Sequence, residues 1–186
     1  QNFSENNEVV KDWLADVLKI HSSSQNWVCF GFLDENKIWN NRWTQAFEIR
    51  KFLMNLVRKS EFNECDFYVS QGEFFSRNDR TVNNLASINV NFVDLDYKIL
   101  VEYRPEISEN PEELVKTHCE KFEIPLPNDI VFSGGGVHLK WIFDEAVSRA
   151  ELALWQYAQK LLLAQFKTLG ADPNSSDAAR VLRLVG

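Results

Sequence analysis

Cysteine is scarce in this chain. Cys29, Cys65 and Cys119 are odd in number and widely spaced, which leaves neither a disulfide framework nor a C-x-x-C zinc site to read. That usage fits a reducing, cytoplasmic setting. The three histidines, His21, His118 and His138, never stand two apart, so a rolling-circle nuclease with paired histidine ligands is disfavoured. No apolar run reaches about 18 residues and no signal-peptide pattern opens the chain, so no membrane span is expected. Positive charge is also short. A net charge of −7 and a pI near 5.0 argue against binding nucleic acid by bulk electrostatics, and any polynucleotide contact needs a local basic patch. A bound divalent cation would offset part of the acidity.

What is present is an ordinary globular composition. Hydrophobic residues make up 45% and charged residues 25% of 186 positions, enough for one α/β unit with a real core. The chain opens on Gln1 and stops at Val185-Gly186 in an apolar-basic run, as a fragment of a longer protein would. Ile88 to Tyr97 reads as a strand ending in two acids, Asp94 and Asp96. Alternation puts both on one face with Leu95 on the other. Two carboxylates sharing a face repel, so a cation or basic partner is expected there unless the strand simply runs out into solvent.

Around that strand the pattern alternates helix and strand. Asn7 to Lys19 places Val9, Val10, Trp13, Leu14, Val17 and Leu18 at helical spacing. Trp27 to Leu33 reads as a strand, residues 34–37 as a turn, and Trp39 and Trp43 as an aromatic patch that serves either base stacking or, by the area tryptophan buries, the core. A helix over about Thr44 to Lys59 buries Phe47, Phe52, Leu53, Leu56 and Val57. Asp66 to Ser70 is a short strand, followed by a polar stretch carrying Arg77 and Arg80, either of which could reach a phosphate or stay solvated. Asn110-Pro111-Glu112-Glu113 starts a helix running to about Phe122. Asp129–Ser133 and Val137–Phe143 form a hairpin across Gly134, Gly135 and Gly136, whose backbone N–H groups can approach a ligand closely. His138 and Lys140 share a face of the returning strand. Ser148 to Glu151 is a capping box launching a packing helix to Leu169, with Gly170 at its end. Asp172 and Asp177 follow in a polar loop. Arg180 and Arg183, three apart, face opposite ways on a regular strand, so only a bend lets both look into one site.

Carboxylates to hold hard divalent cations, with cationic and N–H donors for a triphosphate, suit chemistry on a nucleoside triphosphate. Val93-Asp94-Leu95-Asp96, then Ser133-Gly-Gly-Gly-Val-His138, then Ala171-Asp172 with Arg180 and Arg183 behind it, resembles the three-motif signature of the archaeo-eukaryotic primase (primase-polymerase) superfamily, nearest to the replication primases of plasmids and mobile elements. The resemblance implies that Asp94, Asp96 and Asp172 bind Mg²⁺ or Mn²⁺. Two such ions about 4 Å apart can activate a 3′-hydroxyl and stabilise the leaving pyrophosphate. It implies that His138 joins those acids in the catalytic group and contacts the incoming nucleotide's phosphates, and that Arg180 and Arg183 bind triphosphate or template. Ser133, Gly134, Gly135, Gly136, Lys140 and Arg80 complete the expected nucleotide-binding set. One departure stands out. Gly136 holds the position where the superfamily's Ser-x-His motif has serine, so a backbone N–H of the turn replaces the hydroxyl.

The expected fold is a two-layer α/β sandwich with a mostly antiparallel, RNA-recognition-motif-like sheet, residues 1–75 forming a variable N-terminal module and 76–186 the catalytic core. Helices near 111–122 and 147–169 cover one face. The other face is a cleft, and the N-terminal module must cover most of it because Ile88, Val90 and Phe92 lie on the same side as the acids. The expected activity is metal-dependent, template-directed primer synthesis on single-stranded DNA from NTPs or dNTPs, with a helicase or another replication domain as a further partner. A non-catalytic single-stranded nucleic-acid-binding module and a metal-dependent sugar-nucleotide transferase are the alternatives.

Overall fold

The computed structural model describes residues 12–21, 24–34, 36–57, 66–96, 110–133 and 136–184. Helix α1 occupies residues 12–20. It is followed by β1 (Trp27–Leu33), β2 (Trp39–Gln45), α2 (Ile49–Val57), β3 (Phe67–Ser70), β4 (Gly72–Phe74), β5 (Leu85–Leu95), α3 (Pro111–Phe122), β6 (Asp129–Phe132), β7 (Val137–Ser148), α4 (Leu152–Phe166) and β8 (Val181–Arg183). Every pairing between these strands is antiparallel. They make one sheet in the order β6-β7-β5-β4-β1-β3-β8, with β2 on β1.

Local sequence accounts for most element ends. Asn110 caps α3 by accepting the N–H groups of Glu112 and Glu113, with Pro111 in the first turn, as its position predicts. The helix stops at Glu123 in the left-handed conformation (φ 54°), two residues before Pro125. The Ser148/Glu151 capping box is formed, with a 3₁₀ turn over Arg149–Glu151 ahead of α4. Gly170 (φ 81°) ends the following turn. Where the structure departs from expectation, pairing overrides local pattern. Trp39–Gln45 is a strand because it zips against β1, so α2 begins only at Ile49, and Phe47, expected to be buried, is exposed. The returning hairpin strand continues to Ser148 rather than Phe143, because Ser87 and Ile88 of β5 pair with Ser148 and Val147.

Helices α3 and α4 cover Val93, Leu95, Val137 and Leu139 with Val115, Cys119, Leu163 and Phe166, the expected helical layer. The N-terminal segment covers part of the opposite side. Leu14 and Val17 of α1 pack with Val28, Phe30, Phe67 and Val69, while Ile20 packs with Val90 and Phe92. Between these apolar residues Asp16 pairs with Lys140, both buried, and Lys19 pairs with Asp129. So α1 ties the two halves of the sheet together. Leu18, read as part of its apolar face, is 40% exposed, whereas Asp16 is turned inward. Val9, Val10, Tyr97, Gly134 and Gly135 lie outside the described residues.

Candidate active site

β5 has two different edges beyond Ile88. One edge carries β7 down to Leu95, pairing Asp94 with His138. The other has β4 only as far as Ile88, which leaves buried backbone groups that need partners. Side chains of α4 provide them first. Trp155 Nε1 donates to Val90 O at 2.8 Å. Gln159 Oε1 accepts from Phe92 N at 3.1 Å, and its Nε2 donates to Phe92 O at 2.6 Å. Backbone takes over next: Asp172 N donates to Asp94 O at 2.8 Å, and Asp96 N donates to Gly170 O at 3.2 Å. This places the post-helix acid beside the strand acids, although they lie far apart in sequence.

The result is a cleft of about 430 Å³ lined by Asp94, Asp96, Ser133, Gly136, His138, Asp172, Arg180 and Arg183, with Tyr68 on its wall. Both arginines enter it because Arg180 precedes β8, in a turn where its N–H bonds to Asp177 O and its carbonyl accepts Gln71 N. Arg180 Nη2 lies 2.8 Å from Asp172 Oδ2. Arg183 donates to Ser133 O at 3.2 Å and pairs with Asp66. The glycine at 136 has a steric reason. A Cβ there would stand 2.4 Å from Leu95 O and 3.7 Å from Asp94 Oδ1, so the hairpin can close on the end of β5 only without a side chain.

Two expected ligands are elsewhere. Lys140 is 1% exposed and engaged by Asp16. It shares the His138 side of β7, but α1 covers that stretch, so it does not reach the cleft. Arg80 donates to Ala179 O, bracing the turn before Arg180 rather than lining the cavity. Arg77 lies over the Trp27 ring at 5.7 Å. Asp177 Oδ1 accepts Ala179 N, a turn cap outside the cleft lining. Trp43 packs edge-on against Phe74 at 5.5 Å, whereas Trp39, 37% exposed, tilts against Tyr68 at 5.2 Å and lies over Gly31. The sequence reading missed Gln159, treating its helix as packing alone. The signal was there, since Trp155, Gln159, Leu163 and Phe166 are the buried positions of α4 at helical spacing.

Electrostatically the cleft is a crowded acid site. Burial raises the pKa of Asp94, with the charges of Asp172 and Asp96 adding to the rise and Arg180 opposing it. His138 is driven down to about 3 by burial and by Lys140, Arg183 and Arg180, so at neutral pH its ring is uncharged. Its Nε2 lies 3.6 Å from Asp94 Oδ1, a contact between a carboxylate and a neutral imidazole rather than an ion pair. The all-oxygen acids and their mutual repulsion suit a hard divalent cation. They are not drawn into a closed cage: among the described residues no three His, Cys, Asp or Glu side chains converge into a metal site, and Asp172 is held by Arg180 and by Asn174 of its own turn.

No protein-family model matches the sequence. The chain is 29% identical over 167 residues to a replication protein of Clostridium perfringens, a match covering 90% of this chain and 37% of that protein. It therefore spans little more than a third of that relative's length. Its fold is similar to the AEP domain of the cyanophage S-2L primase-polymerase (TM-score 0.59, 17% identity, covering 96% of this chain and 80% of the other). It is also similar to the catalytic domain of primase RepB′ in complex with initiator DNA (TM-score 0.52, 13% identity, 96% and 75%). The expected fold class, an α/β sandwich on a mostly antiparallel sheet, is thus observed, and these two domains share it. No helix among the described residues is long and apolar enough to cross a membrane.

Proposed function

We propose that this domain is a replication primase, a metal-dependent nucleotidyltransferase that builds primers on single-stranded DNA from nucleoside triphosphates in the cytoplasm. The observation that carries the reading is the meeting, at one end of β5, of Asp94, Asp96 and Asp172 with His138, Arg180 and Arg183 in a single cleft. Asp94, Asp96 and Asp172 would hold Mg²⁺ or Mn²⁺. The bound cation supplies charge neutralisation and Lewis acidity at the reacting phosphate. The chain's own groups bind and orient. Among the described residues, Arg180 and Arg183 are the cations lining the cleft, and each would exchange a present carboxylate partner, Asp172 or Asp66, for a phosphate oxygen. The neutral His138 offers one ring N–H to a phosphate and adds no charge beside Asp94. The backbone at Gly136 lets the nucleotide come close, in place of a serine hydroxyl.

The test is incorporation of labelled nucleotides on single-stranded DNA with Mg²⁺ or Mn²⁺. Replacing both Asp94 and Asp96 by alanine in a folded protein abolishes it if the reading is right, and survival of activity sinks it. A second reading, a non-catalytic single-strand-binding module, is favoured by the engaged state of Asp172 and the open arrangement of the acids. It predicts DNA binding indifferent to divalent metal and to loss of the acids.

A further inference from the structure

The two segments that bring acids to the cleft, the end of β5 and the turn after α4, are joined by the backbone bonds at Asp94 and Asp96 and, behind these, through one buried side chain. Gln159 is fully buried, and all of its amide capacity is directed at them. On the strand side it takes Phe92 N and Asn91 Nδ2 (2.9 Å) on Oε1 and gives Nε2 to Phe92 O. On the turn side the same Nε2 donates to Ser175 O at 2.7 Å. Ser175 lies in the Pro173–Ser176 turn, which the Asp172 carboxylate caps, Oδ1 accepting Asn174 N at 2.9 Å. The amide thus stands in for a missing neighbouring strand: it completes β5 two residues before Asp94 and fixes the turn three residues after Asp172. A hydrocarbon of the same length would fill the space but hold neither segment, because each bond needs a donor or an acceptor in a set place.

We infer that Gln159 is a positioning residue that sets the spacing of Asp94 and Asp172, and through it the affinity of the cleft for a divalent cation. The second half rests on the proposed role of these acids. The first half stands alone.

Two variants and two measurements test it. Gln159→Met keeps the volume and removes every bond. Gln159→Glu keeps the acceptor for Phe92 N and, as a buried acid, retains at most one O–H donor in place of two N–H donors, so it weakens the hold on Ser175. Residue-resolved amide exchange is expected to quicken at least about tenfold at Phe92 and at Asp172 in Gln159→Met, and at Asp172 but not Phe92 in Gln159→Glu, with the β1–β2 hairpin unchanged in both. Unchanged protection at Asp172 in both variants overturns the inference whatever the metal does. If one variant fails to fold, the other still decides at Asp172. Mn²⁺ binding, followed by the electron paramagnetic resonance of the free ion, is expected to weaken about tenfold in Gln159→Met, although no substituted atom faces the cation. Affinity within twofold of the parent, with the parent binding Mn²⁺, refutes the metal-spacing role. A parent protein that binds no Mn²⁺ refutes the metal half of the inference together with the proposed function, while the exchange result still decides the spacing role.

Discussion

At the scale of single residues, the cleft depends on what is missing at position 136. The Cβ of an alanine there meets the carbonyl of Leu95 at 2.4 Å, closer than any relaxed contact, so the hairpin tip must lift from β5. Gly136→Ala is expected to lower stability by about 1–3 kcal/mol, as overpacking does. It is also expected to reduce nucleotide incorporation by more than the loss of folded protein explains. Denaturant melts and a primer-synthesis assay on the same samples measure the two effects. That Asp94 and Asp96 share one strand face was legible because a strand period reveals it without a partner, whereas Asp172 entered only through the family resemblance; the structure brings all three to one cleft. The burial of Lys140 was not legible, because its reason is Asp16, 124 positions away. A cation two residues from a cleft histidine looks like a phosphate ligand until the helix that covers it is known.

At the scale of elements, the Asp16–Lys140 pair is the polar link between α1 and β7 in a mostly apolar contact. Removing one partner leaves an uncompensated buried charge and is expected to cost about 3–5 kcal/mol, whereas Asp16→Leu combined with Lys140→Met should come out near neutral or stabilising. A double-mutant cycle by denaturant unfolding checks this. The combined variant should also keep its nucleotide affinity, since Lys140 does not line the cleft. Elements with strong local signals, such as the Asn110 cap, the Ser148 capping box and the Gly170 stop, were legible from sequence alone. β2 was not. Its Trp-Asn-Asn-Arg-Trp-Thr-Gln run has weak alternation, and its strand character comes from β1. The free edge of β5 could not be foreseen either, because sequence does not show where β4 ends relative to its neighbour.

At the scale of the whole molecule, the buried ionisable groups predict an acid-labile fold. Burial alone would raise the pKa of Glu73, but His21, whose Nδ1 lies 3.6 Å away, together with Ser24 and Asn26, brings it from 4.5 to about 2. A depressed carboxylate contributes stability that is fully present above about 4.5 and is lost as the pH falls toward 2. His138, held neutral down to about 3 against an ordinary 6.5, acts in the same direction. The unfolded chain takes up that proton first, so stability drains as the pH falls from 6.5 toward 3. Asp94 works the other way, since its raised pKa makes the folded state the better proton acceptor as the pH falls. At about 1.4 kcal/mol per pH unit, Glu73 is worth on the order of 3 kcal/mol and His138 more, so the two together outweigh Asp94. Thermal midpoints should be flat above about pH 7, decline from about 6.5 and fall more steeply below 4.5. His138→Gln should remove the first part of that decline, and Glu73→Gln should flatten the second. A fold whose midpoint stayed level from pH 7 to 4 would mean that His138 is not buried as a neutral ring, and the uncharged role assigned to it beside Asp94 would fall with it.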